Sequence, residues 1–85
     1  MTSKEFENLA NKLTSVKVNL WTKKDLRMLV FFRRDKINGD FLDVTLFVGN
    51  RRKYKEYPYK FYKTDNLNEA KDKFNDICSH ISKVV

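Results

Sequence analysis

The dipeptide formed by Asn38 and Gly39 constrains the fold of this chain more than any other local feature. It separates two runs of apolar residues. Asn-Gly is also the preferred sequence of a two-residue type I′ turn, in which both central positions need positive φ. We therefore predict an antiparallel hairpin with a two-residue loop. Such a loop sets Arg34 opposite Asp43, which joins opposite charges across the two strands.

A second hairpin is predicted around Asn50–Lys53, which we interpret as a four-residue loop. Tighter loops would place lysines beside the core valines and leucine, whereas this loop sets apolar residues opposite one another. It pairs Tyr57, Tyr59 and Phe61 with Leu46, Val44 and Leu42, and Lys60 with Asp43. Because Pro58 cannot donate to a ladder, we expect its strand at the edge of the sheet.

Apolar residues at helical intervals mark both ends of the chain. Thr2 and Glu5 have the spacing of a capping box, and a short amphipathic helix is predicted over Lys4–Leu13. After it, alternation predicts a half-buried strand that ends near Thr22 and carries Val16, Val18 and Leu20. A last helix follows the cap residues Asp65 or Asn66, with an apolar stripe of Leu67, Ala70, Phe74, Ile77, Cys78 and Ile81.

These elements predict one α+β domain over residues 1–85, in the order α-β-β-β-β-α. The strands form an antiparallel four-stranded meander, and the carboxy-terminal helix packs on one of its faces. The second strand, from Leu26 to Arg34, is apolar on both sides, so we expect it inside the sheet. A chain of 85 residues can bury one small core and no second one.

The two-residue register of the first hairpin assigns the apolar strand residues to two faces. The predicted core face collects Leu29 and Phe31 with Val44, Leu46 and Val48. The opposite face collects Met28, Val30, Phe32 and Phe47. If the amino-terminal helix covers this second face, its apolar residues are core. If both helices lie on the core face, the second face becomes an interface, either a stacking platform or the contact of a homodimer.

Positive charge is concentrated between Arg51 and Lys63. This stretch holds six of the eighteen basic residues and one of the eleven acids, a net charge of +5 out of +7 for the chain. One or two lysines suffice to protect an edge strand from aggregation, so six cations indicate a binding surface. The candidate contacts are Arg51, Arg52 and Lys53 at the hairpin tip, Tyr54, Lys55, Lys60 and Lys63 along the strand, and Arg33 and Arg34 across the first hairpin.

No pattern of catalytic residues accompanies this charge. Cys78 and His80 are two positions apart on a helix and point in different directions, so they cannot share a metal. No glycine-rich phosphate loop or nucleophile motif is present. We expect a non-enzymatic protein without a cofactor. One cysteine excludes an internal disulfide and favours a reducing, intracellular compartment such as the cytoplasm. No apolar run approaches the roughly 20 residues that span a bilayer, so we expect no membrane partner.

Two functions fit a small basic domain of this kind. The first is nucleic-acid binding, to DNA or RNA, in which cations neutralise phosphates and aromatic rings stack on bases. The alternative is a protein–protein effector or inhibitor, of the anti-defence type that phages or mobile elements encode. Such a protein would dock its cationic edge on an acidic or nucleic-acid-binding surface of a target.

The residues themselves identify no family. In the order of its elements alone, the chain resembles the double-stranded-RNA-binding domain, in which a helix, a meander and a final helix follow one another. That resemblance implies lysines at the start of the last helix, where this chain has Asp65, Asn66, Leu67, Asn68 and Glu69. A similarity in element order concerns the fold and does not by itself assign a function.

Overall fold

The computed structural model describes residues 1–20, 25–50 and 52–84. The five elements are α1 (Ser3–Leu20), β1 (Leu26–Asp35), β2 (Gly39–Gly49), β3 (Tyr54–Tyr62) and α2 (Leu67–Val84). The three strands form one antiparallel sheet in the order β1-β2-β3. The α+β class and the antiparallel meander are confirmed. The four-stranded order α-β-β-β-β-α is wrong, because the described residues contain three strands.

The residues expected to form the first strand are the second half of α1. The helix begins as predicted, since the Thr2 hydroxyl oxygen accepts the Glu5 N–H at 3.2 Å. Beyond Leu13, however, the buried positions follow helical spacing, with Val16 packed on the core and Leu20 buried. Val18 is 65% exposed, so the apparent alternation does not correspond to one buried face. The predicted strand end near Thr22 lies outside the described residues.

The first hairpin has a different turn and register from those predicted. Asn38 does not have positive φ, whereas Gly39 has a φ of +82°, which excludes a type I′ turn. Instead, the loop spans three residues, with Gly39 in the left-handed position that follows such loops. The Asp35 carboxylate accepts the Ile37 N–H at 2.8 Å and stabilises the turn. Arg34 therefore lies opposite Asp40 and not Asp43.

This register differs from the predicted one by three residues, and an odd shift moves every β1 side chain to the other face relative to β2. Met28 and Val30 therefore face the core beside Leu46 and Val44, while Phe31 lies opposite Asp43 on the other side. The predicted core assignment of Leu29 and Phe31 is wrong. β1 is also an edge strand and not an interior one, because the strand expected beside it is helical.

The second hairpin matches its prediction. Tyr59 lies opposite Val44, Phe61 opposite Leu42, and the four-residue loop separates Gly49 from Tyr54. β3 is an edge strand, as the proline in it predicted. The core-side positions of β3 are confirmed as well, since Phe61 is fully buried and Tyr57 and Tyr59 pack against the core.

Both helices pack on the same face of the sheet. One core cluster joins α1, the strands and α2 through Leu13, Met28, Leu46, Phe61 and Ile77, together with other buried residues. Asn66 caps α2, since its side-chain oxygen accepts the Asn68 N–H at 2.9 Å. Because the strand residues in this cluster all belong to one set of alternating positions, the opposite face of the sheet carries no helix among the described residues.

Candidate binding surfaces

The sheet face that the helices leave uncovered is the first candidate surface, and we call it the open face. Cross-strand pairing defines it row by row. From the second hairpin toward the first, the rows are Arg27–Phe47–Glu56, Leu29–Thr45–Pro58, Phe31–Asp43–Lys60 and Arg33–Phe41–Tyr62, and Tyr54 completes the face beside Gly49.

Exposed aromatic rings lie at one end and in the middle of the open face. Near the second hairpin, Tyr54 is 53% exposed and meets the Phe47 ring edge-to-face, with centroids 5.6 Å apart. In the middle of β1, Phe31 is 48% exposed. Ladder spacing separates the Cα atoms of Phe31 and Phe47 by about 14 Å. A ligand that contacts both rings must therefore extend over about 14 Å.

Cations lie among these rings. The Arg33 guanidinium carbon is 5.2 Å from the centroid of the Phe31 ring, and its Nε forms an ion pair with an Asp43 carboxylate oxygen at 2.9 Å. The Lys60 ammonium lies 5.5 Å from the centroid of the Phe41 ring. Such cation–π contacts position charge directly beside an aromatic surface. Arg27 is exposed, and within the described parts of the chain no carboxylate forms an ion pair with it.

The tip of the second hairpin is an ordered basic turn. The Asn50 side-chain oxygen accepts the backbone N–H groups of Arg52 and Lys53 at 3.0 and 2.9 Å. Backbone bonds between Asn50 and Lys53 close the loop. Arg52 and Lys53 are exposed, and no described acid forms an ion pair with either. Their charge is therefore available to a partner. Arg51, also assigned to this tip, lies outside the described residues.

The remaining predicted cations do not extend the tip into one patch. Lys55 is exposed on the helix side of β3, whereas Lys60 is on the open face. Lys63 lies at the far end of β3, where its N–H bonds the Asp40 carbonyl at 3.0 Å. At roughly 3.3 Å per residue, Lys53 and Lys63 are about 33 Å apart along the strand. The basic stretch therefore divides into two clusters at opposite ends of the sheet.

The cluster near the first hairpin is partly neutralised. Arg34 lies on the helix side, and its Nε bonds the Asp40 carboxylate at 2.9 Å. This hydrogen bond, reinforced by charge attraction, lowers the pKa of Asp40 and raises that of Arg34. The Ile37 N–H likewise lowers the pKa of the nearby Asp35 carboxyl. The arginines predicted to continue the basic strip are thus both paired with carboxylates.

The four residues predicted to share the uncovered face do not do so. Met28 is 1% exposed and belongs to the core, and Val30 packs against it. Phe32 is 70% exposed but points to the helix side, where its ring meets Phe6 edge-to-face at 6.2 Å. Only Phe47 lies on the open face. The predicted grouping is wrong because it depended on the register of the first hairpin.

Sequence reasoning missed three β1 residues of the open face, namely Arg27, Leu29 and Phe31. The β1 sequence alone does not separate its two sides, because apolar residues occupy both. One signal was available in the sequence. Arg27 and Arg33 lie on the same side of β1 as Phe31, because side chains alternate along a strand, whereas the other side starts with the apolar residues Leu26 and Met28. That asymmetry favours the open-face assignment found in the structure.

No cluster of three or more metal-ligating residues occurs in the parts of the chain that the structure describes. His80 is half-buried and packs on Tyr57, with ring centroids 4.2 Å apart. Burial raises the pKa of the Cys78 thiol, which disfavours the thiolate. Neither described helix combines the length and apolar character that a membrane span requires.

Comparisons of the chain with protein families, curated proteins and solved structures found no match.

Proposed function

We propose that this protein is a nucleic-acid-binding module that takes single-stranded DNA or RNA across its open face. The observation that carries the proposal is the combination of exposed aromatic rings and cations on a sheet face that no described element covers. Phe31 and Tyr54 offer rings for stacking, and Arg27, Lys60 and the tip cations flank them. Single-strand binders commonly combine a cationic path for the backbone with aromatic stacking platforms.

The exposure of the Phe31 and Tyr54 rings favours a single strand over a duplex. Stacking requires a base whose π-face is accessible, and in a duplex those faces are covered by neighbouring bases. The tip adds Arg52 and Lys53 at the end of the open face where Tyr54 and Phe47 lie. A strand stacked on these rings would bring phosphates to these cations, while the ion-paired arginine Arg34 on the helix side would contribute little.

The test is fluorescence anisotropy with labelled oligonucleotides of about 16 nucleotides, the upper end of site sizes for single-strand modules. Single- and double-stranded DNA and RNA are compared across a salt series. We expect the single strands to bind with an affinity that falls steeply with salt. Charge reversal of the tip, Arg52→Glu with Lys53→Glu, should remove most of the binding. Phe31→Ala should weaken it by about 5- to 150-fold, the value of one stacked base.

Matched controls separate these effects from general changes in charge and apolar surface. Lys12→Glu with Lys71→Glu makes the same charge change on exposed helix positions. Phe32→Ala removes a ring of the same size that points to the helix side. Both controls should bind nearly as wild type does. Equal losses in the controls, or a flat salt response, would contradict the proposal.

Two other outcomes would change the proposed ligand or the proposed function. Equal affinity for duplex and single strand would remove the stacking role of the open face. Retention of one stoichiometric protein from a lysate, without binding to any oligonucleotide, would favour the effector or inhibitor instead, with the tip cations docked on an acidic protein surface.

A further inference from the structure

The two edges of the sheet differ in what their outward backbone groups contact. The Lys63 N–H bonds the Asp40 carbonyl, and hydrogen-bonded positions alternate along an antiparallel pair, so even-numbered β3 residues direct their N–H and C=O groups outward. Several of these groups are satisfied or missing. Pro58 has no N–H, the Lys60 carbonyl accepts the Lys73 ammonium at 3.4 Å, and the Tyr62 N–H bonds the Asp65 carboxylate at 2.9 Å. The β3 edge is therefore protected against a further strand at Pro58, Lys60 and Tyr62.

The β1 edge is different. The Gly49 N–H bonds the Asp25 carbonyl at 2.9 Å, so odd-numbered β1 residues face β2 and even-numbered residues face outward. Within residues 1–20, 25–50 and 52–84, the backbone groups of Val30, Phe32 and Arg34 have no hydrogen-bond partner on that side. This part of β1 also lacks the proline and lysines that protect β3. Exposed edges of this kind pair with additional strands.

α1 obstructs the antiparallel pairing of this edge with β1 of a second copy whose helices lie on the same side of the sheet. α1 packs on β1, with its Phe6 ring against Phe32. Two copies paired in this way would bring their α1 helices within about one strand spacing, roughly 4.8 Å. A helix with its side chains is about 10–12 Å wide. The space beside β1 therefore suits a single extended segment that carries no helix above it.

The side chains of β1 specify the chemistry of that segment. On the open face, the edge carries Arg27, which forms no ion pair with a described residue, and Arg33, which pairs with Asp43. A neighbouring strand would meet both arginines with every second residue. On the helix side, the exposed Phe32 ring and half-buried Val30 offer apolar contacts. A strand that alternates acidic and apolar residues presents each kind to its complement, because successive side chains point to opposite faces.

We propose that the free edge of β1 binds an extended acidic–apolar segment of a partner protein, which becomes the fourth strand of the sheet. This site runs along the edge of β1 and shares Arg27 and Arg33 with the open face, but its main-chain contacts do not depend on nucleic-acid binding. Main-chain hydrogen bonds to Val30 and Phe32 hold the segment, and the alternating side chains select it.

The test is amide hydrogen exchange by NMR with a synthetic peptide that alternates valine and glutamate and matches the ten residues of β1. In the free protein, the amides of Val30 and Phe32 should exchange fast while those of Leu29 and Phe31 are protected by β2. The peptide should slow exchange at Val30 and Phe32 by about tenfold or more. A peptide with lysine in place of glutamate should have little effect, because it repels Arg27 and Arg33.

Two controls isolate main-chain pairing. Phe32→Pro removes an outward N–H without breaking the ladder with β2, as Pro58 does in β3, so it should abolish peptide protection at Val30. Phe32→Ala removes the same ring but keeps the N–H and should retain that protection. Valines N-methylated in the peptide block the same bonds without any change to the protein.

Protection of Val30 and Phe32 in the free protein would overturn the proposal, because the edge would already be covered. So would protection that grows with protein concentration alone, which would indicate a second copy. Equal protection by both peptides, or none by the valine–glutamate peptide at millimolar concentration, would overturn it as well.

Discussion

The two hairpins place similar residues at opposite ends of the sheet, but only one of them satisfies those residues internally. At the first hairpin, Arg34 pairs with Asp40 and Arg33 with Asp43, and Phe41 stacks on Tyr62 with centroids 5.0 Å apart. At the second hairpin, Arg52 and Lys53 have no ion pair with any described residue, and Tyr54 is exposed beside Phe47.

This difference shows that local charge alone does not define a binding surface. The first hairpin contributes cations to the sequence, yet its carboxylates neutralise them within the fold. Two described acids lie near the second hairpin, Asp25 beside Gly49 and Glu56 opposite Phe47, and neither forms an ion pair with Arg52 or Lys53. A partner gains more from cations that are not already paired, because it does not have to break an existing interaction. The second hairpin is therefore the better candidate contact.

The largest effect is expected at Phe41. This residue is 8% exposed beneath Tyr62 and Lys60, although it lies on the open face. Phe41→Ala should lower the free energy of unfolding by about 3 kcal/mol, the lower end for buried Phe→Ala changes. Tyr54→Ala, at the other end, should cost less than about 1 kcal/mol because its ring is half exposed. Urea denaturation measures both, and equal losses would remove the distinction between the two ends.

The glycines of the two hairpins give the next contrast. Gly49 has a φ of +129°, and a Cβ there would overlap the Lys53 carbonyl oxygen and lie 2.8 Å from the Tyr54 Cα. Gly39 has a φ of +82° and open space around a Cβ. Gly49→Ala should therefore cost about 2–3 kcal/mol and Gly39→Ala about 1 kcal/mol. Thermal unfolding should show the larger loss for Gly49→Ala, and the reverse order would indicate that the second loop rearranges freely.

The smallest effect is on the pKa of Asp40, which Arg34 lowers below the ordinary value of 3.8. The stability that follows is complete above the unfolded pKa and is lost as the pH falls through the lower folded pKa. Arg34→Gln should raise the pKa of Asp40 toward its ordinary value in an NMR titration. Arg52→Gln, at the unpaired hairpin, should leave that pKa unchanged. A shift of the same size in both variants would point to general charge and not to the Arg34 contact.

The second hairpin could be predicted from sequence because one register satisfied several residues together. Only a four-residue loop set Tyr59 and Phe61 opposite Val44 and Leu42 without placing lysines in the core. At the first hairpin, Asn38 and Gly39 suit a two-residue loop as well as a three-residue loop that is followed by glycine. β1 did not resolve the choice, since apolar residues occupy both of its sides.

Sequence alone determined the class, the cap of the first helix, the second hairpin and the position of the cationic tip, and it limited the cap of the last helix to Asp65 or Asn66. These depend on contacts within a few residues or on alternation that has only one apolar solution. Tertiary structure decided the rest. Val16, Val18 and Leu20 alternate as in a strand, but the segment is helical because Val16 and Leu20 then both reach the core while Val18 stays exposed. The β1 edge is free because the segment expected to pair with it is helical. The open face depends on the register of the first hairpin, which sets the side of β1 that is exposed.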